Sequence, residues 1–172
     1  MSIDSLTSLI QPPVKPSQVG SCSDWTLVEE ELGVEYPSDF KAFVNSYGSG
    51  SIGRFYWVWN PYSKDEYLDQ VRMVCKYESE LKSEFPEYHP YAIFPDAPGF
   101  LPWGSDENGN YYGWLTIGEP DKWPILTNEV RGSGYELHNR SFSKYLTGVF
   151  NSEIKPLAGD YPKAEDMVFE QI

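Results

Sequence analysis

Residues 25–48 run WTLVEEELGVEYPSDFKAFVNSYG and predict two short helices joined by a sharp break. The first helix ends at Gly33, because glycine readily adopts the left-handed conformation that closes a helix. The second begins at Pro37, whose fixed φ suits the first helical turn and whose missing N–H costs nothing there. The apolar residues of this second helix share one face at helical spacing: Phe40, Phe43, Val44 and Tyr47.

The chain before this helix pair suggests a short amphipathic helix followed by a linker. The apolar residues recur at helical spacing: Ile3, Leu6, Leu9 and Ile10. The prolines that follow end this helix. Ser23 or Asp24 is suited to cap the next helix, because both side chains accept hydrogen bonds from free backbone N–H groups. We therefore assign residues 1–23 to an N-terminal helix and a proline-containing linker.

Downstream of the helix pair, the pattern predicts one strand and one longer helix. Residues 52–59 are rich in β-branched and aromatic side chains and predict the strand. Residues 65–82 predict the helix, because apolar residues recur on one face of it. These residues are Leu68, Val71, Val74, Cys75 and Leu81.

From about residue 91 short β-rich runs alternate with turns. Asn108-Gly109 predicts a two-residue hairpin between strands at 100–106 and 111–117, since both positions of such a turn need a positive φ. Two further strands are predicted over 123–127 and 135–138. A closing helix over 141–151 carries an apolar face, which consists of Phe142, Tyr145, Leu146, Val149 and Phe150.

Helices first, then hairpin-connected strands, then a closing helix indicate an α+β fold. We expect a single domain over residues 24–150, with an antiparallel sheet and helices packed mainly on one side. Residues 151–172 are polar and contain prolines, and we assign them to a C-terminal tail.

The charge of the chain limits the partners that it can bind. There are 26 acidic residues against 13 Lys and Arg, a net charge of −13. Such a chain repels nucleic acid phosphates and anionic lipids and attracts a basic partner, so neither nucleic acid nor membrane is expected as a ligand. The N-terminus has no secretory signal and no stretch is long and apolar enough to cross a bilayer, so a cytoplasmic location is expected.

The stretch from Ser83 to Asp121 is the candidate binding region, because it combines many aromatic residues with seven acids and contains no Lys or Arg. Aromatic side chains supply binding energy at interfaces, whereas acids mainly raise the association rate of a basic partner. The alternative is that the aromatics are sheet core and the acids are solvated turn residues. We nominate as partner contacts Asp106, Glu107, Tyr111, Glu119 and Asp121, and expect that reversing the charges of Glu107 and Asp121 slows association with little effect on stability.

Patterns that indicate catalysis or cofactor binding are absent from the sequence. Cys22 and Cys75 lie far apart and show no zinc-ligand spacing. Residues 106–110 resemble a calcium loop only faintly, because they lack the required glycine and closing glutamate. There is no nucleophile elbow and no phosphate-binding loop. We therefore expect a protein that is not an enzyme, and we nominate no catalytic residue, cofactor or metal ligand.

Three stretches resemble the SUKH superfamily. The first is residues 25–48, with Leu32-Gly33, a Tyr36-Pro37 pair, Asp39-Phe40 and Tyr47-Gly48; the second is 101–124, from Leu101-Pro102-Trp103-Gly104 to Trp123-Pro124; the third is the helix that begins at Ser141-Phe142. Tyr36 stands where the family usually has Leu. The resemblance implies an α+β domain related to a fungal regulator of cell-wall synthesis. Bacterial members commonly lie beside toxin genes and neutralise the toxin.

This resemblance implies an immunity protein that binds a cognate bacterial toxin, expected to be basic, such as a nuclease. One alternative is a regulatory or scaffold module of the same fold that has no toxin partner. Another is a hydrolase that uses carboxylates on the sheet. A neighbouring toxin gene separates the first two functions, and turnover that single carboxylate substitutions abolish would indicate the third.

Overall fold

The computed structural model contains the helix pair predicted for residues 25–48, except that the second helix begins at Ser38 and Pro37 is its N-cap. The model describes residues 2–61, 63, 70–132, 134–157 and 166–172, with only the backbone of residues 22 and 23. Helices α1–α3 span Asp4–Leu9, Cys22–Leu32 and Ser38–Tyr47. Ser21, rather than Ser23 or Asp24, is the N-cap of α2, and its side chain and that of Asp24 each accept a hydrogen bond from the other's backbone N–H. Gly33 closes α2 with a φ of 71°.

The remaining elements include the later helices and strands that the sequence predicts, together with strands at Ala92–Ile93 and Phe169–Gln171 that it does not predict. Helices α4 and α5 span Val71–Glu84 and Phe142–Phe150, and short 3₁₀ turns lie at Pro86–Tyr88 and Pro120–Lys122. Strands β1–β8 span Gly50–Ile52, Tyr56–Val58, Ala92–Ile93, Gly99–Asp106, Tyr111–Leu115, Ile125–Glu129, Gly134–His138 and Phe169–Gln171. The start of the helix predicted at 65–82, including Leu68, lies outside the described residues up to position 69.

The eight strands form one sheet with the order β7-β6-β5-β4-β2-β1-β8, and β3 pairs with β4. All pairs are antiparallel except β3–β4, which is parallel. The fold class is therefore the predicted α+β domain, with one parallel pair added to the antiparallel sheet.

Two turns differ from their predictions. Residues 52–59 are not one strand, because Gly53 and Arg54 have φ values of 62° and 52° and fold the segment into the β1–β2 hairpin. The β4–β5 turn has a positive φ at Gly109 but not at Asn108. The Asp106 side chain explains this, since its Oδ1 accepts the backbone N–H groups of Asn108 and Asn110 and stabilises a longer loop.

Helices cover both faces of the sheet. We call the face that packs against α3 and α5 the helical face, where Trp103 and Trp114 contact Phe142 and Tyr112 contacts Tyr145. We call the opposite face, against which α4 packs, the α4 face. More helices therefore lie on one side, as expected, but α4 leaves only part of the second face open.

The buried core is mostly aromatic. Phe142 is fully buried, and its ring makes edge contacts with Phe40, Phe43 and Trp103 at centroid distances of 5.2, 5.3 and 4.8 Å. Phe43 is fully buried as well, so both residues lie in the core as their helical spacing indicates. Such edge contacts suit the positive ring edge and negative ring face of aromatic side chains.

Both ends of the chain take part in this core, so the packed unit is wider than residues 24–150. Leu6 and Ile10 of the N-terminal segment are buried, and the Tyr47 hydroxyl donates to the backbone carbonyl of Ile10 at 2.5 Å. At the other end Phe169 is buried and β8 pairs with β1. These apolar residues stand in stretches dominated by polar residues and prolines, which is why the sequence suggested a linker and a tail.

Candidate partner-binding surface

Asp106 is not available to a partner, because its carboxylate lies inside the hairpin. The residue is 4% exposed. Its Oδ2 accepts hydrogen bonds from the Asn110 amide at 2.9 Å and from the Tyr112 hydroxyl at 2.8 Å. We therefore remove Asp106 from the nominated contacts and assign it to the structure of the β4–β5 turn.

Asp121 is exposed, but its carboxylate is bound to a helix of the same chain. Its oxygens accept the backbone N–H of Ser38 at 2.6 Å and the Ser38 hydroxyl at 3.0 Å, so it caps the first turn of α3. The hydrogen bond from the Ser38 backbone, more than any other contact, lowers the pKa of Asp121 below its ordinary value of 3.8. Contrary to the expectation from the sequence, we therefore expect charge reversal at Asp121 to lower stability.

Replacing Asp121 by Ala is expected to lower the free energy of unfolding by about 1 kcal/mol, the usual effect of losing a helix cap. Because the folded-state pKa is lowered, this contribution is complete at neutral pH and is lost as the pH falls below about 4. Urea unfolding of both proteins at neutral pH measures the difference. Glu119→Ala, two residues away and exposed, is the control, and an equal loss in both variants would contradict the capping role.

The nominated residues lie at opposite ends of β5. Glu107 is in the turn that precedes this strand, whereas Glu119 and Asp121 follow it. The five residues of the strand alone separate the two ends by about 13 Å. The structure thus keeps Glu107 and Tyr111 together at one end of β5 and places Glu119 and Asp121 beyond the other end.

Tyr111 belongs to a continuous line of paired residues on the α4 face, and Glu107 lies beside this line. Residues that pair directly in an antiparallel sheet place their side chains on the same face. One such line crosses seven strands and is called here the cross-strand row: Glu170, Ser51, Trp57, Ser105, Tyr111, Asn128 and Tyr135. Its three aromatic residues are partly exposed.

Two aromatic side chains of the row combine an apolar ring with a polar end. The Trp57 indole N–H donates to the carboxylate of the exposed Glu107. The ring of Tyr111 packs edge-on against Trp59 at 6.2 Å, and no described residue hydrogen-bonds to its hydroxyl. Burial, with a smaller effect from the charge of Glu78, raises the pKa of Tyr111, so the hydroxyl stays protonated at neutral pH and can donate.

A buried carboxylate from α4 adjoins the Tyr135 end of the row. Glu78 is 1% exposed, and its Oε2 accepts from the Tyr135 hydroxyl at 2.8 Å and from the Asn128 amide at 3.3 Å. The same oxygen lies 3.5 Å from Nδ1 of His89. Burial first, and then the charge of Glu78, raises the pKa of Tyr135 and that of the Cys75 thiol, the latter to about 12.

The sequence contains a signal for Glu78 that the sequence analysis did not use. Val71, Val74, Cys75 and Glu78 follow helical spacing, so the acid occupies a core position of α4. An acid at a core position needs a polar partner, because an unpaired buried charge is strongly unfavourable. Its partners His89, Asn128 and Tyr135 come from three other segments, and no spacing along the chain connects them.

Neither metal-binding groups nor membrane-spanning helices occur in the part of the chain that the structure describes. Within residues 2–61, 63, 70–132, 134–157 and 166–172 no three His, Cys, Asp or Glu side chains are placed to hold a metal ion together. Among the same residues no helix has the length and apolar character to cross a membrane.

The fold and surface together define a small α+β domain with a mixed aromatic and acidic sheet face. A family model described as SMI1-KNR4 cell-wall, of the SUKH group, matches residues 23–146, and the chain belongs to this family. The match includes the helix pair, the β4–β5 hairpin and the start of α5. Neither the curated proteins nor the solved structures give a match.

Proposed function

We propose that this protein is an immunity protein that binds and neutralises a basic toxin in the bacterial cytoplasm, through the cross-strand row and Glu107. Domains of its family act as immunity proteins or regulators and bind partner proteins. The observation that carries the proposal is the row itself, in which Trp57, Tyr111 and Tyr135 are partly exposed on one face of the sheet. Carboxylates adjoin two of them, since Glu107 binds the Trp57 indole and Glu78 binds the Tyr135 hydroxyl.

The chemistry of the row supports a protein partner. Tyr and Trp are the residues that most often dominate binding energy, because a large apolar ring is buried while its polar end still finds a partner. The net charge of −13 adds a long-range attraction for a basic molecule.

Co-expression with the product of the adjacent gene tests the proposal most directly. The expected result is a stable complex, together with survival of cells in which the adjacent product alone is lethal. A complex that leaves the partner's toxicity unchanged would favour a scaffold of the same fold. Absence of any complex with a folded partner would contradict the proposed function.

Replacing Glu107 by Lys is expected to slow association with the toxin roughly threefold to tenfold at low salt, since acids near an interface mainly steer the encounter. The effect should shrink at physiological ionic strength, where the screening length is about 8 Å. Stopped-flow association rates across a salt series measure it.

Glu30→Lys is the matched control for this charge reversal. It makes the same charge change at an exposed position of α2, a helix that contributes no residue to the cross-strand row. If both variants slow association equally, the attraction depends on net charge alone and the interface is not at Glu107.

A further inference from the structure

The Glu78 carboxylate has an unused acceptor beside a pocket. All three of its polar contacts, from Tyr135, Asn128 and His89, involve Oε2. Its Oε1 accepts no hydrogen bond from any described residue, although the residue is 1% exposed. A buried carboxylate oxygen without a donor costs free energy, so this position favours an external donor.

The pocket next to Glu78 has the size and the charge for a cationic side chain. Its volume is about 410 Å³. Its lining includes the acids Glu87 and Glu129 and the aromatic residues Tyr88 and Tyr135. No Lys or Arg of the described chain lines it, and the nearby Lys82 ammonium donates to the backbone carbonyl of His89.

We propose that this pocket binds the side chain of an arginine on the partner, with Glu78 Oε1 as acceptor for the guanidinium. Arginine fits because its planar donors pair with carboxylates and its flat face stacks on aromatic rings. This inference rests on the proposed function, since Tyr135 and Asn128 belong to both the pocket and the cross-strand row. To the proposed function, this inference adds that the toxin contributes an arginine side chain as an anchoring residue.

A small probe tests the pocket without any toxin. N-acetyl-arginine amide is titrated into the ¹⁵N-labelled protein, and N-acetyl-citrulline amide serves as the neutral isostere. The expected result is saturable shifts at the amide of Asn128 and around Tyr135 with the arginine probe only. Equal shifts with both probes, or no shifts at these residues, would overturn the proposal.

Two variants connect the shifts to Glu78. Glu78→Gln keeps the shape of the side chain and removes its charge, and it should weaken probe binding at least tenfold. Glu80→Gln makes the same change on the exposed side of α4 and should leave binding unchanged. If Glu78→Gln unfolds the protein, Val130→Trp provides a second test. Val130 lines the pocket and is exposed, so the larger side chain should occupy the pocket and abolish the shifts while Glu78 is unchanged.

Toxin binding by the same variants separates this inference from the proposed function. A toxin that binds wild type and Glu78→Gln equally well would overturn the arginine anchor and leave the immunity function intact. A pocket that binds the probe in a protein that binds no toxin would retain the site and contradict the function.

Discussion

Replacing Phe142 by Ala is expected to lower the free energy of unfolding by about 3–5 kcal/mol. The Phe142 ring is fully buried and lies between α3 and the helical face of the sheet, in contact with Phe40, Phe43 and Trp103. Its removal loses the transfer free energy of the ring and leaves a cavity that rigid aromatic neighbours fill poorly.

Urea unfolding at neutral pH, followed by fluorescence and circular dichroism, measures this loss by linear extrapolation. Phe85→Ala is the control, because Phe85 follows α4 and is 47% exposed. We expect a change within about 0.5 kcal/mol for the control, as for most surface substitutions. A loss under 1 kcal/mol for Phe142→Ala would mean that the ring is not the centre of the core.

The helices could be predicted because helical spacing is a local property. Phe40, Phe43, Val44 and Tyr47 are all buried on one face of α3, and α5 shows the same agreement. The strand at 52–59 was predicted wrongly because its composition suits a strand throughout. Only Gly53 marked the turn, and Arg54 adopts a positive φ that side chains other than glycine rarely take.

The acid of the family pattern Asp39-Phe40 gains a physical explanation from the structure. Asp39 is fully buried, and its Oδ2 accepts the backbone N–H of Ser143 at 2.9 Å and the Ser143 hydroxyl at 2.8 Å. It therefore caps the first turn of α5 from a position about a hundred residues earlier in the chain. Sequence spacing could identify the pattern but not this contact.

The candidate site was harder to predict than the fold, because it depends on which residues the sheet places side by side. Charge density along 83–121 grouped Glu107 with Asp121, yet β5 separates them, and Asp106 is buried in its own turn. Tyr111 stays in the site because adjacent strand residues point to opposite faces, so it faces α4 while Tyr112 enters the core. Strand pairing, rather than sequence proximity, brings Trp57 and Tyr135 to the same row.

Replacing Tyr111 by Ala is expected to raise the dissociation constant of the toxin complex at least 30-fold, about 2 kcal/mol or more. Tyr111 lies on β5, next to the central strand β4 of the sheet, with Ser105 and Asn128 as its paired neighbours. Positions inside an interface lose the most water on binding. A partly exposed ring whose hydroxyl binds no described residue can bury apolar surface and donate a hydrogen bond together. The loss should appear mainly as faster dissociation, because the substitution changes no charge.

Surface plasmon resonance with the immobilised toxin separates the two rate constants for this variant. Tyr111→Phe retains the ring and removes the hydroxyl, so its smaller loss would measure the hydrogen bond alone. Leu27→Ala, at a 64% exposed position of α2, controls for removing apolar surface elsewhere. Each variant must first show a wild-type circular dichroism spectrum, because Tyr111 also packs against Trp59. A folded Tyr111→Ala protein with unchanged dissociation would place the toxin on another face, since Tyr111 stands on β5, next to the central strand β4 of the sheet.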